Sequence, residues 1–217
     1  MAAADITRLM NNARDRLAGA TDPLMQRELF NVMDEFFKGS NVWNEDIELT
    51  VPGMDPANTI YQVTSSSPSL IDKLLWVFDK PTSTSTGRGS PVGAAMATPG
   101  ELTLASQPSS DKVYVVTVAL TVQDPAQRDG YVSFPAWVLA KYRDAILDGL
   151  LGNMMSQPNK PWTNTQLSVF HMRKFKNKTA SARVEWTRNN TYRQQAWVFP
   201  GFARGSQRGN RSWGGPA

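Results

Sequence analysis

The chain has 217 residues, 41% of them hydrophobic, which is enough to bury a core of its own. It has no cysteine, which excludes disulfides, thiolate nucleophiles and zinc–cysteine sites. It has one histidine, His171, so histidine-based general base catalysis and transition-metal binding are nearly excluded as well. We expect no membrane helix, because no stretch approaches the roughly 20 uninterrupted apolar residues that one needs. We also expect no export signal, because residues 1–5 place no basic patch before an apolar run.

Charge is distributed unevenly along the chain. The segment from Lys160 to Ala217 contains eleven Lys or Arg residues and one acid, Glu185, whereas the preceding residues contain twelve bases and eighteen acids. The two parts carry +10 and −6, which sum to the formal net charge of +4. This asymmetry predicts that the C-terminal part meets a negative partner, either phosphate or an acidic protein surface.

The first segment, 1–43, predicts a pair of helices. Apolar residues of the first helix recur with the spacing of one helix face, at Ile6, Leu9, Met10, Ala13 and Leu17. Gly19 ends that pattern. Asp22 and Pro23 are typical of the N-cap and first position of a second helix, which we expect to stop at Gly39.

The middle segment, 44–125, predicts an inserted antiparallel β subdomain. Residues 45–51 alternate apolar and polar side chains, and residues 60–63 and 74–78 predict further strands. Residues 112–122 carry apolar side chains on both faces, which is typical of a central strand. Residues 81–100 are dominated by Ser, Thr, Gly, Pro and Ala, and we expect a long exposed loop there.

The segment 126–190 predicts a helical hairpin that completes a bundle with the N-terminal pair. Ser133 is the expected cap of its first helix, and Gly149 and Gly152 suggest close approach of a neighbouring helix. The predicted turn contains Pro158, Lys160, Pro161 and Trp162. A capping box at 163–166 then opens a second helix that extends to about Asn190.

That second helix is basic. We expect it to bury Leu167, Phe170, Phe175, Ala182 and Trp186 against its neighbour. Its cations are too many for one narrow stripe, and we expect them to cover the solvent side as a DNA-channel or partner-facing surface: Arg173, Lys174, Lys176, Lys178, Arg183 and Arg188.

The last segment, 191–217, interleaves aromatic residues and arginines with glycine, so it cannot form a core alone. It predicts an extended arm that lies across another surface, with aromatic side chains as anchors and arginines paired with acidic groups. The residues assigned to this role are Tyr192, Arg193, Trp197, Phe199, Phe202, Arg204, Arg208 and Arg211. The fold class is therefore α+β: an antiparallel helical bundle with an inserted antiparallel β subdomain and a C-terminal arm.

Enzymatic function is not expected. The clustered carboxylates Glu45, Asp46 and Glu48 lie where a helix link enters a strand, a place where acids are usually solvated. His171 has no second histidine as partner, so a packing or surface role is favoured over metal binding. The sequence predicts no catalytic residue, no metal site and no cofactor.

Three stretches carry a family resemblance. They are Arg27-Glu-Leu-Phe-Asn-Val-Met-Asp-Glu-Phe-Phe-Lys38 leading to Val42-Trp43, Phe134-Pro-Ala-Trp137 through Ile146-Leu-Asp-Gly-Leu-Leu151, and Gln157-Pro-Asn-Lys-Pro-Trp-Thr-Asn164. Phe170, Lys174, Ala180 and Arg183 fit the long basic helix that follows such a turn. In this order, over about residues 4 to 205, the chain resembles phage head-to-tail adaptor (connector) proteins. The Ser/Thr/Gly loop and the aromatic, glycine-rich tail depart from the family pattern.

The resemblance implies a ring, of about twelve copies in relatives, that docks beneath the portal of a DNA-filled capsid. Such a ring seals the portal, offers a surface to a tail or nozzle protein, and lets the double-stranded genome pass. In relatives the C-terminal segment commonly reaches the portal, which implies this role for the arm. The implied location is the neck of the virion, after assembly in the host cytoplasm, with no membrane partner.

Two further readings remain open. A free-standing nucleic-acid-binding protein would use the basic helix and arm as its binding surface, and a head-closure or tail-completion protein would occupy a neighbouring position in the neck. Neutralising about ten phosphates per subunit would give a log–log salt slope near −9, and a ring with such contacts would hold DNA too tightly for a conduit. We therefore expect the arm to bind an acidic portal surface, with weaker DNA contact from the helix.

Overall fold

The computed structural model describes residues 6–53, 60–66, 69–80, 89–123 and 134–190. Within these ranges the chain is α+β, with four helices and two small antiparallel sheets. The elements in chain order are α1 (Thr7–Arg14), α2 (Asp22–Ser40), β1 (Asn44–Val51), β2 (Ile60–Gln62), β3 (Ser69–Asp79), β4 (Ala94–Thr98), β5 (Glu101–Leu104), β6 (Lys112–Val122), α3 (Ala136–Met155) and α4 (Thr165–Asn190). No helix of the described part is long and apolar enough to span a bilayer.

The N-terminal helices form as the sequence predicts, with small shifts at their ends. Gly19 has φ +85° in the link between them, a conformation that favours glycine. The N-cap of α2 is Thr21, so Asp22 belongs to the first helical turn. The helix also continues past Gly39 to Ser40, because the left-handed residue that ends it is Asn41, with φ +57°.

The larger sheet has the order β1-β6-β3, so the predicted central position of residues 112–122 is confirmed. Both neighbours pair with β6 in antiparallel register, for example Ile47 and Val77 with Val116. Apolar side chains of β6, including Val118 and Leu120, are buried in the core. Helix α2 contacts β6, which joins the helices to the sheet.

The predicted loop 81–100 is wrong in its second half. Residues 94–98 form β4, which pairs with β5 through a turn at Gly100, where φ is +87°. The second sheet has the order β2-β5-β4. Ala94 and Met96 pack against the edge of the core, and backbone hydrogen bonds to β5 hold β4 as an edge strand. Residues 81–88 lie outside the described residues.

Helices α2, α3 and α4 pack on one another through an aromatic cluster. The ring centroid of Phe36 lies 5.3 Å from that of Tyr142 on α3 and 6.5 Å from that of Phe175 on α4. At the other end of α4, Trp186 stacks on Trp76 of β3, with centroids 5.1 Å apart. These contacts fix α4 to both the helices and the larger sheet.

The close approach predicted at Gly149 and Gly152 is confirmed. A Cβ atom on Gly149 would lie 2.5 Å from Cγ1 of Val32 and 2.9 Å from Cδ2 of Phe175. A Cβ atom on Gly152 would lie 2.6 Å from Sδ of Met172. Since real Cβ atoms do not approach so closely, hydrogen at these positions is what lets the helices meet.

We predict that Gly149→Ala lowers the free energy of unfolding by about 1–3 kcal/mol, the usual cost of overpacking. The gain in helix propensity, about 1 kcal/mol, offsets only part of this cost. Urea denaturation measures the change. Gly152→Ala is the comparison variant and should cost less, because its new methyl meets the flexible end of Met172. A Gly149→Ala protein as stable as wild type would contradict the packing.

Candidate docking surface on the C-terminal helices

The turn between α3 and α4 is fixed by side-chain caps. Asn164 Oδ1 accepts a hydrogen bond from the backbone N–H of Leu167 at 3.1 Å, so Asn164 caps α4. The prediction of a capping box that starts at Thr163 is therefore wrong: the cap is Asn164, and the residue three positions later is Leu167, whose side chain cannot complete a box. Thr163 holds the turn instead, with its hydroxyl accepting from the Lys160 N–H at 3.0 Å and donating to the Gln157 carbonyl.

The four predicted turn residues all lie in this connection, and they differ in exposure. Pro158, Lys160 and Pro161 are exposed, whereas Trp162 is half-buried and packs against the core. Its ring comes within 4.0 Å of the position that a Cβ on Gly19 would occupy, so the turn contacts the α1–α2 link. Trp162 thus anchors the turn, and the other three face solvent.

A buried carboxylate fixes the orientation of α4 against α3. Asp148 Oδ1 lies 2.8 Å from Nδ1 of His171, and its Oδ2 lies 2.6 Å from Nζ of Lys178. Asp148 and His171 are each 7% exposed. Burial raises the pKa of Asp148, but the hydrogen bonds from Lys178 and His171 outweigh burial and hold this pKa below its usual value.

The sequence-based interpretation assigned no role to Asp148. The available signal was a charged residue within the apolar run 145–151, opposite a helix where His171 and Lys178 share a face seven residues apart. The packing role favoured for His171 agrees with its burial. Among the described residues, no group of three or more potential ligands is placed to hold a metal ion.

The prediction that Lys178 belongs to the exposed basic surface is wrong. Its ammonium group donates to Asp148 and to the backbone carbonyl of Asp144, at 3.1 Å. It therefore points toward α3 and is not free to meet a partner. The buried carboxylate on α3 provides the physical reason, since it attracts the nearest cation of α4.

The other five predicted cations of α4 are exposed. Lys174 Nζ lies 4.4 Å above the ring of Phe170, close enough for a cation–π contact. The remaining four make no ion pair with any residue that the structure describes; they are Arg173, Lys176, Arg183 and Arg188. This face of α4 therefore carries uncompensated positive charge.

Glu185, the one acid of α4, is already bonded within the chain. Its carboxylate accepts a hydrogen bond from Lys141 Nζ at 2.5 Å and another from the Tyr142 hydroxyl at 3.4 Å. The bond from Lys141 is the main reason that the pKa of Glu185 is lowered. Glu185 thus ties α4 to α3 and does not neutralise the outer cations.

Two residues expected to be buried against α3 are exposed. Leu167 is 44% and Phe170 50% exposed, and so are Val169 at 47% and Val184 at 49%. The face that meets α3 carries Ser168, His171 and Phe175, while the buried Thr179 lies against Gly39 of α2. The glycines of α3 make room on this face for Phe175 at Gly149 and for Met172 at Gly152, whereas Leu167, Phe170 and Val184 lie on the outer face.

The residues assigned to the arm, from Tyr192 to Arg211, lie outside the described residues. A scan against protein-family models gave no match. A search of curated proteins likewise found no significant similarity.

We predict that Asp148→Asn lowers the free energy of unfolding at pH 7 by about 2–4 kcal/mol, because it weakens two charged hydrogen bonds of a buried group. The pKa of Asp148 is lower in the folded protein, so its stabilisation is present above the unfolded-state value, about 3.9. That stabilisation is lost as the pH falls through the folded value. The difference between variant and wild type should therefore shrink below about pH 4.

Denaturant titrations at several pH values measure this difference. Asp144→Asn is the matched control on the same helix, because the Asp144 side chain is 78% exposed; we expect a change within about 0.5 kcal/mol. A difference between the Asp148 variant and wild type that stays constant down to pH 3 would contradict the assignment.

Proposed function

We propose that this protein is a structural component of a phage virion, a head-to-tail adaptor. About twelve copies form a ring that docks on the portal, extends the DNA channel and provides the attachment surface for a tail or nozzle protein. The protein is not an enzyme in this proposal and needs no cofactor. Its place is the neck of the particle.

The observation that carries the proposal is the outer face of α4. This helix has 26 residues, about 39 Å of length, and is held by Asp148, Glu185 and Trp186 to the rest of the fold. Its outer face combines uncompensated cations with exposed apolar side chains. A rigid surface of this kind suits docking between macromolecules.

The finer architecture belongs to the same proposal. Segments 1–43 and 126–190 form one helical bundle around the channel, and the subdomain 44–125 lies on its outer or tail-facing side. The arm 191–217 docks on the portal, with Trp197, Phe199 and Phe202 as apolar anchors and its arginines opposite acidic groups. The contacts between α2, α3 and α4 support the bundle.

A second candidate function is nucleic-acid binding. The five exposed cations of α4 make no ion pair with a described residue and favour it, because Lys and Arg side chains neutralise phosphates. Two features of the same surface favour a protein partner: Phe170 and Val184 are about half exposed, and phosphates offer no burial for such groups. We therefore propose protein docking as the main role, with weaker contact to passing DNA.

Truncation after Asn190 is the direct test of the arm. We expect the shortened protein to keep its melting temperature and circular dichroism spectrum but to lose binding to the cognate portal, because the aromatic anchors are gone. Co-sedimentation of each form with assembled portal rings measures the loss. Full-length protein under the same conditions is the control. A shortened chain that still joins portal rings would refute the proposal for the arm.

A further inference from the structure

Exposed residues run along the outer face of α4 at heptad spacing. Phe170, Asn177 and Val184 are exposed and spaced by seven, and so are Arg173, Ala180 and Thr187. These six residues form the seam of α4. Phe170, Asn177 and Val184 have the spacing of the a positions of a coiled coil, and Arg173, Ala180 and Thr187 that of the d positions, which are the residues that pack against a partner helix. The opposite face of α4 already packs on α3, so this second stripe is separate from the intramolecular contact.

The C-terminal half of this seam is shallow. Small side chains at Ala180 and Ser181 border an open hollow, which is also lined by Val184, Glu185 and Arg188. Small residues at a helix contact permit close approach of the partner backbone. The shape therefore suits an elongated partner that lies along α4.

Cations flank the seam on both sides, and they disfavour pairing of α4 with a second α4. In the heptad defined above, Lys176 and Arg183 hold g positions and Lys174 and Arg188 hold e positions. A parallel pair would place Arg183 opposite Arg188, and an antiparallel pair would place Lys176 opposite Arg183. Like charges so placed destabilise the pair in either orientation.

Two other occupants match the seam poorly. Segment 191–217 contains Arg193, Arg204, Arg208 and Arg211 and no acid, so its charge has the same sign as the seam. Nucleic acid would satisfy the cations but leave Phe170 and Val184 in water. The missing partner must supply both carboxylates and apolar side chains.

We propose that the seam of α4 docks an acidic amphipathic helix of another protein, with apolar residues facing Phe170 and Val184 and Glu or Asp facing the flanking cations. This inference deepens the proposed function, since the helix would belong to a neighbouring component of the neck. Asn177 at the central a position then sets the register, as a single polar a residue does in coiled coils.

Two synthetic peptides of three heptads test the chemistry. Both carry Leu at a and d with Asn at the central a position; one has Glu at all e and g positions and the other has Lys. We expect the full-length protein to bind the acidic peptide at least about tenfold more tightly than the basic one, by fluorescence anisotropy near physiological salt.

Charge reversal provides a gain-of-function readout that misfolding cannot imitate. Arg183→Glu combined with Arg188→Glu brings the charge of the four flanking positions from +4 to zero, so it should weaken binding of the acidic peptide and strengthen binding of the basic one. The matched control is Arg8→Glu with Arg16→Glu, which changes the net charge equally at exposed positions near α1 and should preserve the preference. Phe170→Ala with Val184→Ala should weaken the acidic peptide about tenfold.

Four results would overturn the inference: equal affinity of the wild-type protein for both peptides, no gain in affinity for the basic peptide with the double glutamate variant, an affinity that rises tenfold after residues 191–217 are removed, or stoichiometric displacement of the acidic peptide by a DNA duplex. The third would make the arm the occupant, and the fourth would make it nucleic acid. Portal docking, measured separately on the same proteins, decides the adaptor function. Rings that join the portal without any peptide preference would therefore refute only the seam.

Discussion

The contact between α3 and α4 determines which side of the basic helix faces outward. Gly149 and Gly152 remove the side chains that would separate the helices, and Asp148 then bonds His171 and Lys178 across the gap. The glycines set the distance, and the carboxylate sets the rotation of α4 about its axis. Together they place Phe175, Ser168 and His171 of α4 inside and leave Leu167, Phe170 and Val184 outside.

This rotation gives the outer face its chemical character. Lys178 is paired with Asp148, and Glu185 is paired with Lys141. The outer face of α4 therefore presents cations without a neighbouring acid to neutralise them. Exposed apolar residues lie among these cations, which distinguishes the surface from one made only for phosphate. A docking face that is both basic and apolar matches the proposed assembly role, in which partner choice depends on charge and burial together.

Much of the fold follows from local sequence patterns, because helix spacing and strand alternation directly reflect which side chains are buried. The N-terminal helices, the central strand 112–122 and the close approach at the glycines were all predictable. The strand at 94–98 was not, since its pairing depends on backbone hydrogen bonds rather than on bulky side chains. The cap at Asn164 instead of Thr163 shows the same limit, because either residue type can cap a helix.

The site was harder to predict than the fold. Apolar bulk favoured Leu167 and Phe170 as buried residues, yet α4 turns Ser168, His171 and Phe175 toward α3 and leaves Leu167 and Phe170 exposed. The role of Asp148 depends on two partners that are 23 and 30 residues distant, which no local pattern reveals. Long-range packing thus determines which face of α4 lies against α3, and local sequence patterns do not distinguish between these faces.

Electron microscopy of the protein mixed with its cognate portal is the most direct test of the central claim. The adaptor proposal predicts rings of this protein stacked on the tail-facing end of the portal, with a continuous central channel. Portal rings that remain bare at saturating protein concentration would contradict it.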